Sequence, residues 1–186
     1  MIIANALQIL FKDAVADCVF LGSLKQDTKI QYWYGDQKEL IQWIKERRTL
    51  VNYPLIWYVL NDYTEFDGWY STNASLVLMQ DTQLQKLNDW RSSNSYAGVL
   101  EQVKDVVIEK LTTNCFVQIL GNLEDRFTFR AIPNYGVDLD SPNSESNDFS
   151  RKTKKNTESI NIDIVDCLTI DFKLKIKAKC LIKCNY

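Results

Sequence analysis

The residues best equipped for chemistry are five cysteines, a run of alternating lysines and a few close carboxylates, in a 186-residue chain with no histidine. Without an imidazole, serine-triad, cysteine–histidine and histidine-ligated metal chemistry lack their base or ligand. Cys18, Cys115, Cys167, Cys180 and Cys184 form no CxxC pair. Cys180 and Cys184 have the spacing of two ligands on one helical face, yet the pattern around them alternates with period two. On a strand, four residues span about 13 Å, too far for one shared ion unless the chain bends. Buried free thiols in a reducing compartment are the better reading. Asp138 and Asp140 lie in a polar stretch that reads as a solvated acidic loop rather than a metal site. Neither GxxxxGK[ST] nor GxGxxG occurs, and the six glycines are scattered. An enzyme built on carboxylates, lysines or tyrosines alone has no motif to mark it here. The expectation is a non-enzyme with no cofactor and no metal.

Two further sets are suited to contact rather than catalysis. Lys173, Lys175, Lys177 and Lys179 occupy the odd positions of a segment whose even positions are apolar. Such a row is ordinarily a solvated sheet face or an edge guarded against aggregation. Its functional counterpart is a cationic surface meeting a phosphate backbone or an acidic neighbour. Tyr63, Phe66, Trp69 and Tyr70 stand in a linker otherwise made of Asp, Thr, Glu, Gly and Ser. Exposed contact with a partner and a folded-back satellite cluster fit them equally.

These sets need elements to position them. The length fits a single α+β domain over residues 1–186, with a polar insertion at 133–159, where Asn, Ser, Asp, Lys and Thr displace the aliphatic residues. Lys and Arg number 22 against 24 Asp and Glu, a net charge of −2, which argues against a protein wrapped in nucleic acid. No apolar run approaches the 20 or so residues of a membrane span, and no signal peptide is visible, so cytoplasmic synthesis and no membrane partner are expected. Ile3, Leu7, Leu10, Ala14 and Cys18 recur at helical steps and predict an amphipathic helix over 2–19. A short strand over 29–34 stops at Gly35, and Asp36 with Glu39 forms a capping box for a helix carrying Leu40, Trp43, Ile44 and Arg47. The apolar run 55–60 reads as a central strand buried on both faces, followed by a strand over 74–80. Val99, Val103, Val106, Val107 and Leu111 place a long helix over 95–112, with 84–90 as its preceding turn or a separate short helix. Residues 116–120 and 127–132 read as a hairpin around Gly121-Asn122. Apolar residues then fall on even numbers from Ile160 to Cys180, interrupted only by Asp166: one long strand, or two bent at Asp166-Cys167. The sum is an α+β fold, a mixed or antiparallel sheet with helices on one face and a long C-terminal strand.

Three of these segments are similar to a known family. Tyr32-Trp33-Tyr34-Gly35 before the Asp36/Glu39/Leu40 helix, Tyr53-Pro54-Leu55-Ile56-Trp57 leading into a hairpin with an acidic-aromatic loop, and the ending from Ile162 to Phe172 resemble tail-completion proteins of phages and prophages of Bacteroidetes. The motifs occur in family order over most of the chain, and residues 136–159 depart from the more compact family sequence. The resemblance implies a tail terminator or neck subunit, in a tail-terminator-like fold. It implies a ring, typically a hexamer, that stops tube growth and meets tail-tube and head–tail connector proteins. DNA would pass through transiently and without sequence preference. It also implies a virion location in tail or neck. On this reading Tyr63, Phe66, Trp69 and Tyr70 contribute to partner binding, and the lysine row is a lumen- or phosphate-facing surface. A baseplate or other tail accessory subunit is the alternative within virion architecture. A small nucleic-acid-binding module using the four lysines is the alternative of another class.

Overall fold

The even-numbered apolar run near the C-terminus becomes the spine of the sheet. A computed structural model describes residues 1–19, 26–46, 53–82, 87–122, 126–135 and 164–183. In chain order the elements are α1 (Ile2–Phe11), β1 (Val15–Cys18), β2 (Gln26–Lys29), β3 (Gln31–Gly35), α2 (Gln37–Glu46), β4 (Leu55–Val59), β5 (Tyr63–Phe66) and β6 (Trp69–Thr82). There follow α3 (Asn88–Arg91), a π-helix (Ser92–Leu100), α4 (Glu101–Thr113), β7 (Val117–Leu120), β8 (Thr128–Tyr135), β9 (Ile164–Ile176) and α5 (Ala178–Lys183). The fold is α+β around a mixed sheet in the order β3-β4-β6-β9-β7, with β5 added to β6 and β8 to β9. β3 and β4 are parallel and joined through α2, while every other pair in this sheet is antiparallel.

β9 is one unbroken 13-residue strand, not two bent at Asp166. All 13 residues pair with β6 from Tyr70↔Ile176 to Thr82↔Ile164. Its even side chains Leu168, Ile170, Phe172, Leu174 and Ile176 enter the main core with Ile56, Tyr58, Leu76 and Leu78. The helices of that face are α1, the continuous helical run 88–113 and α5. Tyr32 ties β3 to this layer by donating its hydroxyl proton to the Ala4 carbonyl at 3.0 Å. Burial holds that phenol far above the ordinary tyrosine range. α2 refines the expected layering, because it covers part of the opposite face. Leu40 joins Leu55, Trp57, Val77, Met79, Val165 and Cys167 there, and Trp43 lies between Trp33 and Trp57 at ring distances of 6.3 and 5.8 Å.

The capping box forms as its spacing requires. The Glu39 amide donates to Asp36 Oδ1 at 2.8 Å, and the Asp36 amide donates to Glu39 Oε2 at 2.7 Å. Asp36→Ala is expected to cost about 1 kcal/mol in a urea titration, and unchanged stability would show that the box contributes nothing.

Several local expectations are corrected. α1 stops at Phe11, and Val15–Cys18 is a strand paired with β2. Ala14 and Cys18 are four apart and satisfy a helical stripe, but Ala14, Ala16 and Cys18 also satisfy alternation, and all three are buried. The strand expected over 29–34 is split at buried Ile30 between β2 and β3. β7 and β8 do not pair with each other: both run antiparallel to β9 along the same edge, one after the other. The even-numbered pattern passes beyond Ile176, yet Ala178–Lys183 is helical, so Cys180 is not on a strand. Residues 133–135 of the expected insertion belong to β8, while 136–159 lie outside the described residues, as do Arg47, Ile160 and Ile162.

Candidate functional site

The linker expected between residues 60 and 74 is a β-hairpin. Tyr63↔Thr72, Thr64↔Ser71, Glu65↔Tyr70 and Phe66↔Trp69 pair across it. Asp67 and Gly68 turn the chain with φ of 49° and 73°, the left-handed pair of a two-residue hairpin loop. An Asp-Gly dipeptide between aromatic residues is the sequence signal that finds this hairpin, and the compositional reading of the linker passed over it.

Pairing separates the four aromatics, because residues directly opposite share a sheet face. Tyr63 and Tyr70 lie on the main-core side in edge-to-face contact at 5.6 Å, with Tyr70 buried. Phe66 and Trp69 face the other way, and Phe66 is 82% exposed at the hairpin tip. The lysine row divides too. Lys173 and Lys175 project from β9, Lys177 follows its last residue, and Lys179 sits in the first turn of α5. A single strand face carrying all four lysines is therefore corrected to two groups.

Each group meets one hairpin aromatic. The ammonium groups of Lys175 and Lys177 lie 5.2 and 4.9 Å from the centre of the Trp69 ring. On the opposite side Lys179 stands 5.6 Å from the Tyr70 ring centre and pairs with Glu65 Oε1 at 3.2 Å. The Tyr70 hydroxyl, with Lys179 beside it, holds the Glu65 carboxyl below its usual range. Tyr70 and Glu65 together raise the Lys179 ammonium. The Lys177 amide also donates to the Phe116 carbonyl at 2.9 Å, which extends the β7 edge and fixes the backbone under the Trp69 cluster.

Beside this cluster the sheet face not covered by α2 is polar. Ser71, Asn73 and Ser75 of β6 share it with Asp171, Lys173 and Lys175 of β9 and Gln118 and Leu120 of β7. A shallow groove of about 390 Å³ runs between them, lined by Asp62, Thr64, Ser71, Asn73, Leu120 and Lys173 among others. Among the described residues no carboxylate approaches Lys173, Lys175 or Lys177 within 4 Å. The arrangement sets ammonium groups over Trp69 on one sheet face, with Phe66 exposed at the tip of the same hairpin. Alternation identified the lysines, but the contact partners Ser71, Asn73 and Leu120 carry no signal until the register is known.

Among the described residues no three His, Cys, Asp or Glu side chains gather as a metal site, and Asp138 and Asp140 lie outside that set. Cys18 and Cys167 are buried and Cys115 and Cys180 exposed, which corrects the reading of all the thiols as buried, while Cys184 lies outside the described residues. Burial pushes both buried thiols above the ordinary range, Cys167 most strongly. A thiol reagent at pH 8 is therefore expected to modify Cys115 and Cys180 in the native protein. Cys18 and Cys167 should react only on unfolding, as peptide mapping would record. Early modification of Cys167 would contradict the packing.

Comparison of this chain with protein-family models, curated proteins and solved structures finds no match. Among the described residues no helix is long and apolar enough to cross a membrane.

Proposed function

We propose that this protein is a virion structural subunit of the tail-terminator or neck type. On this reading it assembles into a ring, a hexamer in the simplest case, that caps the tail tube and joins it to the head connector while DNA passes through. The observation that carries the reading is the β5–β6 hairpin, which holds Phe66 in solvent beside a polar, cationic sheet face. An exposed aromatic on a rigid two-residue turn costs little ordering entropy when it enters a neighbour, and the polar rim around it suits a contact between subunits. The family-like segments at 32–40, 53–57 and 162–172 support the same reading. The first two frame α2 and its capping box, and the third supplies most of β9.

Native mass spectrometry at micromolar concentration, with and without tail-tube protein, tests it. A closed oligomer, or a complex with the tube or connector protein, is expected, and Phe66→Ser should weaken it roughly tenfold or more. A strict monomer that joins neither partner would overturn the assignment. Association with baseplate components alone would move the protein to the accessory-subunit alternative.

The lysine row, exposed at Lys173 and Lys179 and half-buried at Lys175 and Lys177, favours one reading of another class, a nucleic-acid-binding module. It expects DNA affinity that falls steeply with salt. Filter binding at background near 50 mM salt would end it.

A further inference from the structure

The Trp69 cluster brings together two cations that no described anion separates. The ammonium groups of Lys175 and Lys177 both approach one indole, so they stand no farther apart than the sum of their distances to its centre. Lys173 continues the charge along the groove, and Asp171 is the carboxylate nearest to it along β9. The ring attracts each ammonium but does nothing to relieve the repulsion between them, which an anion placed beside both would do. Both ammonium groups already lie over the indole, so a nucleobase stacking there would have to displace them. That selects carboxylates over a nucleic acid strand, whose binding would draw on such stacking.

The chain itself contains the complementary charge. Residues 137–150 hold Asp138, Asp140, Glu145 and Asp148 and no Lys or Arg. Chain length decides which copy Asp138 and Asp140 serve. Tyr135 is opposite Val165, and Lys175 lies ten residues farther along β9, about 33 Å away at 3.3 Å per residue. Five residues of chain reach at most about 18 Å in any conformation, so Asp138 and Asp140 fall short of Lys175 and Lys177 of their own molecule even with both side chains extended. We propose that the Trp69–Lys175–Lys177 face receives the Asp138 and Asp140 carboxylates of a second copy, a head-to-tail contact in which each subunit is donor and acceptor. Such a contact uses two different patches on every molecule and closes into a ring when the rotation permits. The inference rests on the ring reading above and names the surfaces that meet.

The test uses full-length protein prepared as an equal mixture of ordinary and ¹⁵N-labelled chains, treated with a zero-length carboxyl–amine cross-linker. Native mass spectrometry records the oligomer in parallel. Cross-links from Asp138 or Asp140 to Lys175 or Lys177 are expected in mixed-isotope pairs. D138N/D140N should abolish them, and K175Q/K177Q should weaken self-association roughly threefold to tenfold. K175R/K177R cannot be cross-linked yet should retain association, which separates lost charge from lost folding. An oligomer without these cross-links overturns this interface and leaves the ring reading standing. Cross-links confined to one isotope would show an intramolecular latch and likewise overturn it. A monomer at every concentration would overturn both.

Discussion

Asp166→Ala is expected to destabilise the protein by about 3–5 kcal/mol, the largest loss of any single substitution argued for this chain. Asp166 lies on the core side of β9, completely buried, with its Oδ1 2.5 Å from Nη1 of Arg91, which is 3% exposed. Removing the carboxylate leaves a guanidinium facing a low-dielectric interior with its charge-bearing partner gone. Burial, reinforced by the charge of Asp166, already holds the Tyr96 phenol well above its ordinary range. The Ser95 and Tyr96 hydroxyls have no hydrogen-bond partner among the described residues. The double variant Arg91→Met/Asp166→Leu removes both charges at similar volume and should recover most of the loss, because the pair's Coulomb energy mainly offsets its own desolvation. Urea titrations of the single and double variants decide the matter. A single variant within about 1 kcal/mol of the parent would show that Arg91 escapes to water.

Gly98→Ala is expected to cost about 1–3 kcal/mol through overpacking. A methyl carbon at Gly98 would lie 2.5 Å from the Val19 carbonyl oxygen and 3.2 Å from that of Ser93. Both neighbours are backbone, so relief requires moving an element rather than rotating a side chain. The same contact carries a bond, since the Val19 amide donates to the Gly98 carbonyl at 2.9 Å. Gly98 thus lets the π-helix approach the end of β1 closely enough to pair with it. Gly68→Ala separates this from a purely conformational cost. Gly68 has a positive φ of 73° and open space around it, so it should lose only about 1–2 kcal/mol from the left-handed backbone. Thermal unfolding of the two variants gives the comparison, and a neutral Gly98→Ala would mean that α1–β1 and the helix separate without penalty.

The parts legible in the sequence were those where one local pattern had a single structural answer. The capping box at Asp36 and Glu39, the buried run of β4 and the alternation of β9 each emerged where their residue types placed them. The misread parts had two answers locally. Ala14 and Cys18 fit a helix and a strand equally, and only pairing with β2 decides between them. Phe116–Leu120 and Phe127–Ile132 have the look of hairpin arms, but β9, whose paired residues lie 30 to 59 positions further on, takes both as partners. Asp166 appeared as a break in an apolar pattern because its partner, Arg91, is 75 positions distant. In the candidate site the residue types were visible and their grouping was not. Trp69 joined Lys175 and Lys177, while Tyr70 joined Lys179 on the far side of the same hairpin, a division set by strand parity and by the change from β9 to α5.

The position of β9 carries a consequence for how the protein is made. Leu76 pairs with Ile170, and the whole length of β6 waits for partners that lie 82 to 106 positions later in the chain, from Thr82↔Ile164 to Tyr70↔Ile176. Until then β6, already joined to β4 and β5, presents a long row of unpaired amide and carbonyl groups beside apolar Leu76, Val77, Leu78 and Met79. Contacts of such sequence separation close slowly, and an open edge of this kind pairs readily with strands of other nascent chains. Expression yield should therefore depend on how quickly Ile164–Ile176 follows β6, and truncation before β9 should produce aggregate rather than a smaller folded protein.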